Sequence, residues 1–179
     1  DMYDAAEPSA ETLIDWASRA EEAALAVPGV TNSEGGQAGW SMAAVALAAT
    51  NGMAHAYRRS QFSVAASVLA GEGTAMERDY DFSSAVHAAD LAAPEDIGRA
   101  AGEKAVRRLT PRQVETTQVP VVYDPRTSRS LLGHLAGGIG GTAVARGTTF
   151  LKDRMGQRIF PEGLTVMDDP LRRRGLRSK

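Results

Sequence analysis

The chain contains no cysteine among its 179 residues. Disulfide bonds, thiolate zinc sites and cysteine nucleophiles are therefore excluded. Any bound metal would have to use carboxylates or the three histidines His55, His87 and His134, which lie 32 and 47 residues apart. That spacing excludes a local metal site on one helix and leaves only a long-range site built from all three.

A strong charge of one sign and long apolar runs are also lacking. With 20 Lys+Arg against 22 Asp+Glu, the formal charge of −2 gives no field that would favour nucleic acid. No stretch approaches the roughly 20 apolar residues of a membrane helix. The first thirty residues are rich in acids, which is the opposite of a secretory signal. We therefore predict a cytoplasmic protein.

Common catalytic motifs are absent as well. No G-x-S-x-G elbow, G-x-x-x-x-G-K-[ST] loop or G-x-G-x-x-G fingerprint occurs, so serine hydrolysis and phosphate binding by a glycine-rich loop have no specific support. Gly133, Gly137 and Gly141 follow a small-x-x-x-small spacing that favours close backbone packing. The segment Asp168-Asp169-Pro170 could hold an acid pair but is primarily a turn signal.

The first half of the sequence predicts a helix followed by a three-stranded antiparallel meander. Ser9 is the expected N-cap of an amphipathic helix over residues 9–27, which Pro28-Gly29 ends. Asn51-Gly52 predicts a two-residue type I′ turn, because both residues tolerate positive φ. It would join strands at about 38–50 and 53–69.

The faces of the strands follow from alternation. In the second strand Phe62, Val64, Ala66 and Val68 alternate with small polar residues, so one face should be buried. In the third strand one face carries Met76, Arg78, Tyr80 and Phe82, and the other carries a carboxylate row formed by Glu77, Asp79 and Asp81. The row could bind a cation or a basic partner, but we expect a solvated face. Arg58-Arg59 could contact a substrate carboxylate or balance that row.

The second half begins with a helix opened by Pro94 and ending near Arg107-Arg108. A domain or subdomain boundary is expected at 111–117, followed by a short strand over Val119–Val122. A glycine-rich helix comes next, marked by an apolar stripe: Leu131, Leu132, Leu135, Ile139 and Ala143. Each glycine costs about 0.5–1 kcal/mol relative to alanine in a helix, so something should press close against this one. Residues 164–167 are a further strand candidate.

These patterns predict the α+β class, with an antiparallel three-stranded meander flanked by helices. We expect this helix–meander–helix subdomain to span residues 1–112. The strand and the glycine-rich helix would then start a second subdomain over residues 118–179.

Seven short segments add a more specific signal when they are taken together, in order and with their spacing. They are Asn32–Gly35, Thr50–Ser60, Met76–Ala85, Val119–Val122, Ser130–Leu135, Thr149–Asp153 and Asp168–Pro170. The set resembles the TldD/PmbA family, specifically its PmbA branch, also called TldE, from about residue 10 to the end. Family members are more than twice this length, so the resemblance implies that the chain is an internal fragment.

The resemblance also implies a function. The family forms a two-subunit peptidase in which the TldD-type subunit carries zinc on an H-E-x-x-x-H helix and the TldE-type subunit does not. It cleaves unfolded or extended peptides. The family has been linked to peptide-antibiotic maturation, antitoxin turnover and modulation of DNA gyrase.

Aligning the zinc motif with residues 131–138 places Gly133 and Gly138 at the two ligand positions and His134 at the general-base position. Glycine offers no side-chain donor to zinc. We therefore assign no catalytic or metal-binding residue, identify no peptide-binding residue, and expect zinc only in the TldD-type partner. The chain is expected to act as the non-metal partner subunit, which associates with the TldD-type subunit or with itself. Its expected substrate is an unfolded peptide, and we expect it to bind neither membrane nor nucleic acid.

Two alternatives stay open. The first is a catalytically active metallopeptidase that uses His134 with residues outside the fragment. The second is a nucleic-acid or gyrase-associated binding module, suggested by the Arg-rich segment 172–179. Phosphate contacts would make such binding fall steeply as salt rises.

Overall fold

The computed structural model describes residues 1–178, whose contacts form two compact units. Residues 1–112 together with 168–178 make the first unit, and residues 113–167 make the second. The division into subdomains over 1–112 and 118–179 stays a prediction. No helix within residues 1–178 is long and apolar enough to cross a membrane.

The first unit is a three-stranded antiparallel sheet with two helices packed on one face, which confirms the α+β class. The strands are neighbours in chain order, so the sheet is a simple meander. Its elements are α1 (Ala10–Leu25), β1 (Val30–Ala48), β2 (Ala54–Ala70), β3 (Glu77–Ala85) and α2 (Pro94–Arg107).

Local signals set most of these boundaries. Ser9 is the N-cap of α1, because its Oγ accepts a hydrogen bond from the Thr12 backbone N–H at 3.2 Å. Pro94 lies in the first turn of α2, as predicted. β1 begins at Val30 rather than near residue 38. Gly35 does not interrupt the strand, because it is accommodated at a register irregularity with φ of +112°.

The turn between β1 and β2 is not the predicted type I′ turn. Ala49 N–H donates to the Met53 carbonyl at 2.8 Å, so the loop has three residues. Of these, only Gly52 has positive φ, at +89°, which is typical of a turn that closes with a glycine bulge. The Asn-Gly signal thus located the hairpin correctly but not its turn type.

β2 extends well beyond β3. β3 pairs only with residues Phe62–Ala70. Residues 41–48 and 54–61 therefore continue as a two-stranded ribbon, which we call the hairpin arm. Most of its side chains are exposed, including Met42, Val45 and Leu47.

The core lies between the sheet and the two helices. Phe62, Val64 and Val68 of β2 are essentially inaccessible to solvent, as the alternation predicted. Burying each such side chain contributes about 1.5–3 kcal/mol. The helical side of the core is made of alanines: Ala20, Ala24, Ala101 and Ala105.

Glycines let the layers of this core approach closely. A β-carbon at Gly98 of α2 would overlap the carbonyl oxygen of Ala20 in α1, and one at Gly36 of β1 would overlap that of Ala17. α1 therefore makes direct backbone contact with both the sheet and α2.

The second unit contains α3 (Pro125–Gly138) and the short α4 (Gly141–Ala145). The Asp124 carboxylate accepts a hydrogen bond from the Arg126 N–H at 2.8 Å, which caps α3. The strands predicted over Val119–Val122 and residues 164–167 are wrong, because both segments are irregular. No described strand lies beside them, Pro120 has no N–H to donate, and Val122 is 97% exposed.

Candidate functional site

An apolar groove runs beside α3, the helix that aligns with the zinc motif. Its volume is about 580 Å³, within the range of ligand pockets. Leucines of α3 form one side of the groove, and residues of the following loops form the other: Leu131, Leu132, Leu135, Phe150, Leu151, Ile159, Phe160, Leu164 and Val166. The helical stripe was visible in the sequence, but its partners on the loops lack periodicity and were missed.

The groove offers almost no polar chemistry. Among its lining residues, only Ser128 and His134 have polar side chains. Within residues 1–178, no three His, Asp or Glu side chains lie close enough together to share a metal ion. His55 is on the hairpin arm and His87 follows β3, so His134 is the one histidine on α3.

The glycines of the predicted glycine-rich helix, which forms α3 and α4 in the structure, do not pack as the sequence predicted. A β-carbon at Gly133, Gly137 or Gly141 would meet nothing within 4 Å. Gly138 does have close neighbours, since a β-carbon there would lie 3.3 Å from Leu151 Cδ1, and its carbonyl accepts a hydrogen bond from Thr149 Oγ1 at 2.7 Å. Within residues 1–178, the close contact expected against this helix is thus found at Gly138 rather than at Gly133, Gly137 and Gly141.

The carboxylate row of β3 faces inward, so the expected solvated face is wrong. Asp79 is only 5% exposed. Asp81 lies 3.0 Å from Lys104 Nζ, and Asp79 and Glu77 lie 3.3 and 3.5 Å from the Arg108 guanidinium. The basic partner of the row is thus α2 of the same chain.

The opposite, open face of the sheet carries the larger apolar side chains of β3. Tyr80 and Phe82 are 42% and 40% exposed, and their ring centroids lie 6.3 Å apart. Next to them, Arg78 forms a 2.6 Å ion pair with Glu34 of β1, and Ser67 Oγ donates to Glu34 at 2.7 Å. This hydrogen bond and the Arg78 charge hold the pKa of Glu34 below its usual range.

Arg58 and Arg59 do not balance the carboxylate row, which is neutralised by α2. Arg58 instead lies over the ring of Tyr3, 4.3 Å from its centroid. This cation–π contact holds the N-terminal segment against the base of the hairpin arm.

A second anchor of that segment was not foreseen from the sequence. Ser60 Oγ accepts from the Asp4 N–H and donates to the Val86 carbonyl, each at 2.8 Å. The Asp4 carboxylate accepts from Ala6 N–H at 3.0 Å and from Ala88 N–H at 2.9 Å. These backbone donors lower the pKa of Asp4.

His87 lies beside the same anchor. Its Nε2 lies 3.1 Å from Asp1 Oδ1, which permits an ion pair when the ring is protonated, but this nitrogen makes no directed hydrogen bond in the described chain. His87 therefore lies against the N-terminal segment, between Asp1 and Asp4.

The Arg-rich segment belongs to the first unit and pairs with acidic residues of it. Arg174 pairs with Asp90 at 3.1 Å and with Asp1 at 3.2 Å, and Arg173 pairs with Asp1 at 3.1 Å. Asp169 begins the turn that was predicted there, since its carboxylate accepts from the Leu171 N–H at 3.0 Å. Lys179, the last residue of the predicted basic segment, lies outside the described residues.

Comparisons with known proteins agree on one family. Residues 3–109 match the profile described as the PmbA/TldA metallopeptidase central domain, and residues 116–179 match that of its C-terminal domain. The chain is 36% identical over 179 residues to Metalloprotease PmbA of Escherichia coli O157:H7, covering 99% of this chain and 40% of that protein. A Haemophilus influenzae Metalloprotease PmbA homolog is 28% identical over 171 residues, covering 95% and 38%. The chain thus spans about 40% of the length of these relatives.

Two solved structures share the fold. One is a Bacteroides thetaiotaomicron protein named as a candidate modulator of DNA gyrase, with a TM-score of 0.82, 25% identity and coverage of 89% of this chain and 37% of that one. The other, from Thermotoga maritima and similarly named, has a TM-score of 0.80 at 19% identity, with coverage of 88% and 37%.

Proposed function

Because the chain belongs to the PmbA/TldD metallopeptidase family, we propose that it is part of the subunit type that works without its own zinc. In this proposal the chain is TldE-like, and a TldD-type partner supplies the catalytic metal. The complex would act in the cytoplasm in proteolysis of unfolded peptides and in peptide maturation.

The observation that carries the proposal is the side-chain content of α3. The two positions that align with zinc ligands are Gly133 and Gly138, and glycine has no donor atom beyond its backbone. The helix presents one imidazole, His134, to a groove lined otherwise by Ser128 and apolar residues. A zinc site needs three protein ligands to hold the ion and leave a position for water. These residues do not meet that requirement.

In this proposal the three-stranded sheet and the groove beside α3 have a structural role. The three-stranded sheet is a rigid element because its helix-covered face is closely packed and its carboxylate row is neutralised by α2. The groove beside α3 leaves large apolar side chains open to solvent, with Leu132 56% and Phe150 83% exposed, and could form part of a peptide channel in the complete complex.

Peptidase assays on the full-length protein test the proposal. Hydrolysis of an unfolded peptide should require co-purification with the TldD-type partner, and added zinc should not replace that partner. The matched control replaces the glutamate of the partner's H-E-x-x-x-H motif with glutamine, which should abolish the activity of the complex. Hydrolysis by the isolated full-length subunit would refute the proposal.

An active peptidase centred on His134 is the second candidate, because this histidine lines the α3 groove. It requires further ligands from outside residues 1–179. Metal analysis of the purified full-length protein distinguishes the two candidates, since stoichiometric zinc supports this one alone.

A nucleic-acid or gyrase-associated role has less support. It rests on the names of the two structural neighbours and on the Arg-rich segment. Arg173 and Arg174 already pair with Asp1 and Asp90, which lowers the charge available to phosphates. Binding to duplex DNA at 50 and 200 mM salt would reveal such a role by a steep loss of affinity, of about 10³-fold for six phosphate contacts.

A further inference from the structure

β1 has an open outer edge. It pairs with β2 along its whole length, from Val30 to Ala48, and lies at one end of the three-stranded sheet. Within residues 1–178, no backbone hydrogen bond joins residues 36–48 to a segment on the other side of β1. The two helices pack on one face of the sheet.

The geometry of the turn identifies the backbone groups along that edge. Ala49 N–H donates to the Met53 carbonyl, so Ala49 and Met53 form a hydrogen-bonded pair. Such pairs alternate with pairs whose N–H and C=O point away from each other. The outward groups on β1 therefore belong to alternate residues: Trp40, Met42, Ala44, Ala46 and Ala48.

A hydrogen bond made by β2 confirms this assignment of outward-directed residues. Ser60 lies opposite Met42 and should therefore direct its N–H away from β1. Its N–H does donate away from β1, to the Met2 carbonyl at 3.1 Å.

The edge lacks the features that normally prevent strands from associating. Proteins protect edge strands with proline, charged side chains or bulges. Residues 35–48 contain no proline and no Asp, Glu, Lys or Arg, and the register irregularities of β1 end at Gly35. The large exposed apolar side chains there are Met42 at 44%, Val45 at 38% and Leu47 at 57% exposure, and the exposed polar residues, Gln37 and Ser41, carry no charge.

The other edges are better protected. The outer edge of β2 in the hairpin arm carries Arg58 and Arg59, and is met at Ser60 by the N-terminal segment. β3 contains four charged residues within a much shorter strand: Glu77, Arg78, Asp79 and Asp81. Strand addition is therefore favoured at β1.

We propose that the outer edge of β1 pairs in antiparallel fashion with the same edge of a second copy of this chain. The two meanders would then form one continuous six-stranded sheet around a two-fold axis. A two-fold contact is self-complementary, and this segment opposes no like charges because it has none. The pairing also converts each hairpin arm, which is marginal as an isolated ribbon, into part of a wider sheet.

The size of the contact is sufficient for a specific but modest interface. Residues 35–48 give an edge about 48 Å long, and a sheet edge is about 10 Å deep. The two copies together would bury about 1,000 Å², which is the lower limit for a specific protein interface. We therefore expect a dimer whose population depends on concentration.

The experiment measures association of the 179-residue chain by sedimentation equilibrium, using two matched variants. Ala46 and Ala56 lie opposite each other in the hairpin arm, and both direct their N–H groups outward, on opposite edges. Ala46→Pro removes a donor from the β1 edge and should raise the dimer dissociation constant at least about tenfold. Ala56→Pro makes the same change on the β2 edge and should leave the dissociation constant unchanged.

Hydrogen exchange provides a measurement that needs no variant. Amides of residues 40–48 should exchange more slowly at high than at low protein concentration, while those of residues 54–60 should not change. A chain that is monomeric at all concentrations would overturn the proposal, as would a dimer weakened equally by both variants. If the natural occupant of this edge is an extended peptide or a different subunit, the chain alone should stay monomeric at all concentrations.

Discussion

Lys104 Nζ of α2 lies 3.0 Å from Asp81 Oδ1 of β3, and both side chains are less than one-third exposed. Replacement of Lys104 by glutamine leaves Asp81 partly buried without this cation. We expect Lys104→Gln to lower the free energy of unfolding by about 1–2 kcal/mol, between the values typical of exposed and buried ion pairs.

Denaturant unfolding at neutral pH checks this expectation. Lys152→Gln, at an exposed lysine that forms no ion pair within residues 1–178, should change the free energy of unfolding by less than about 0.5 kcal/mol. Equal effects of the two substitutions would show that the Lys104–Asp81 pair does not stabilise the first unit.

Gly98 is expected to tolerate no side chain. A methyl group there would overlap the Ala20 carbonyl, and the helices could accommodate it only by moving apart. Gly98→Ala should therefore lower the free energy of unfolding by about 2 kcal/mol or more, even though alanine has the higher helix propensity. A stabilised Gly98→Ala variant in urea unfolding would contradict the close contact between α1 and α2.

Gly133 is the opposite case and provides a matched comparison. It is also a helical glycine, but a β-carbon there meets nothing within 4 Å. Gly133→Ala should stabilise α3 by about 0.5–1 kcal/mol through helix propensity alone. Slower hydrogen exchange of the amides of residues 125–138 would be the expected result, and faster exchange would show that glycine is required there.

The glycines also show what the sequence could and could not predict. Apolar alternation located β2, and Ser9 and Pro94 located the helix starts, because these signals depend on nearby residues. Close packing was predicted along the glycine-rich helix, but the tightest glycine contacts of the helices and the sheet are at Gly36 and Gly98. A small residue permits close approach, but only the tertiary structure determines whether a neighbour comes near.

The carboxylate row illustrates the same limit. Alternation correctly separated Glu77, Asp79 and Asp81 from Tyr80 and Phe82 on β3. Deciding which face is buried required the position of α2, whose Lys104 and Arg108 neutralise the acids. In the candidate site, the resemblance supplied the two glycine positions on α3, whereas the groove depends on loop residues such as Phe150 that follow no period.

Asp4 should make stability depend on acid pH. Backbone N–H groups of Ala6 and Ala88 hold the pKa of Asp4 below its ordinary value of 3.8. Its stabilising contribution is thus fully present above that value and is lost as pH falls through the lower, folded-state pKa. Asp4→Asn should destabilise the protein at pH 6, and the difference from the wild type should shrink towards pH 2. A difference that stays constant over this range in urea titrations would contradict the assignment.

Gly36 and Ala17 set the orientation of α1. The helix lies with one carbonyl oxygen against the sheet at Gly36 and another, from Ala20, against α2 at Gly98. Advancing the helix by one residue would turn it by about 100° and bring different groups to both places. Only one rotation of α1 about its axis satisfies both close contacts at once. Substitutions on the solvent-exposed side of α1 can therefore accumulate without rotating the helix.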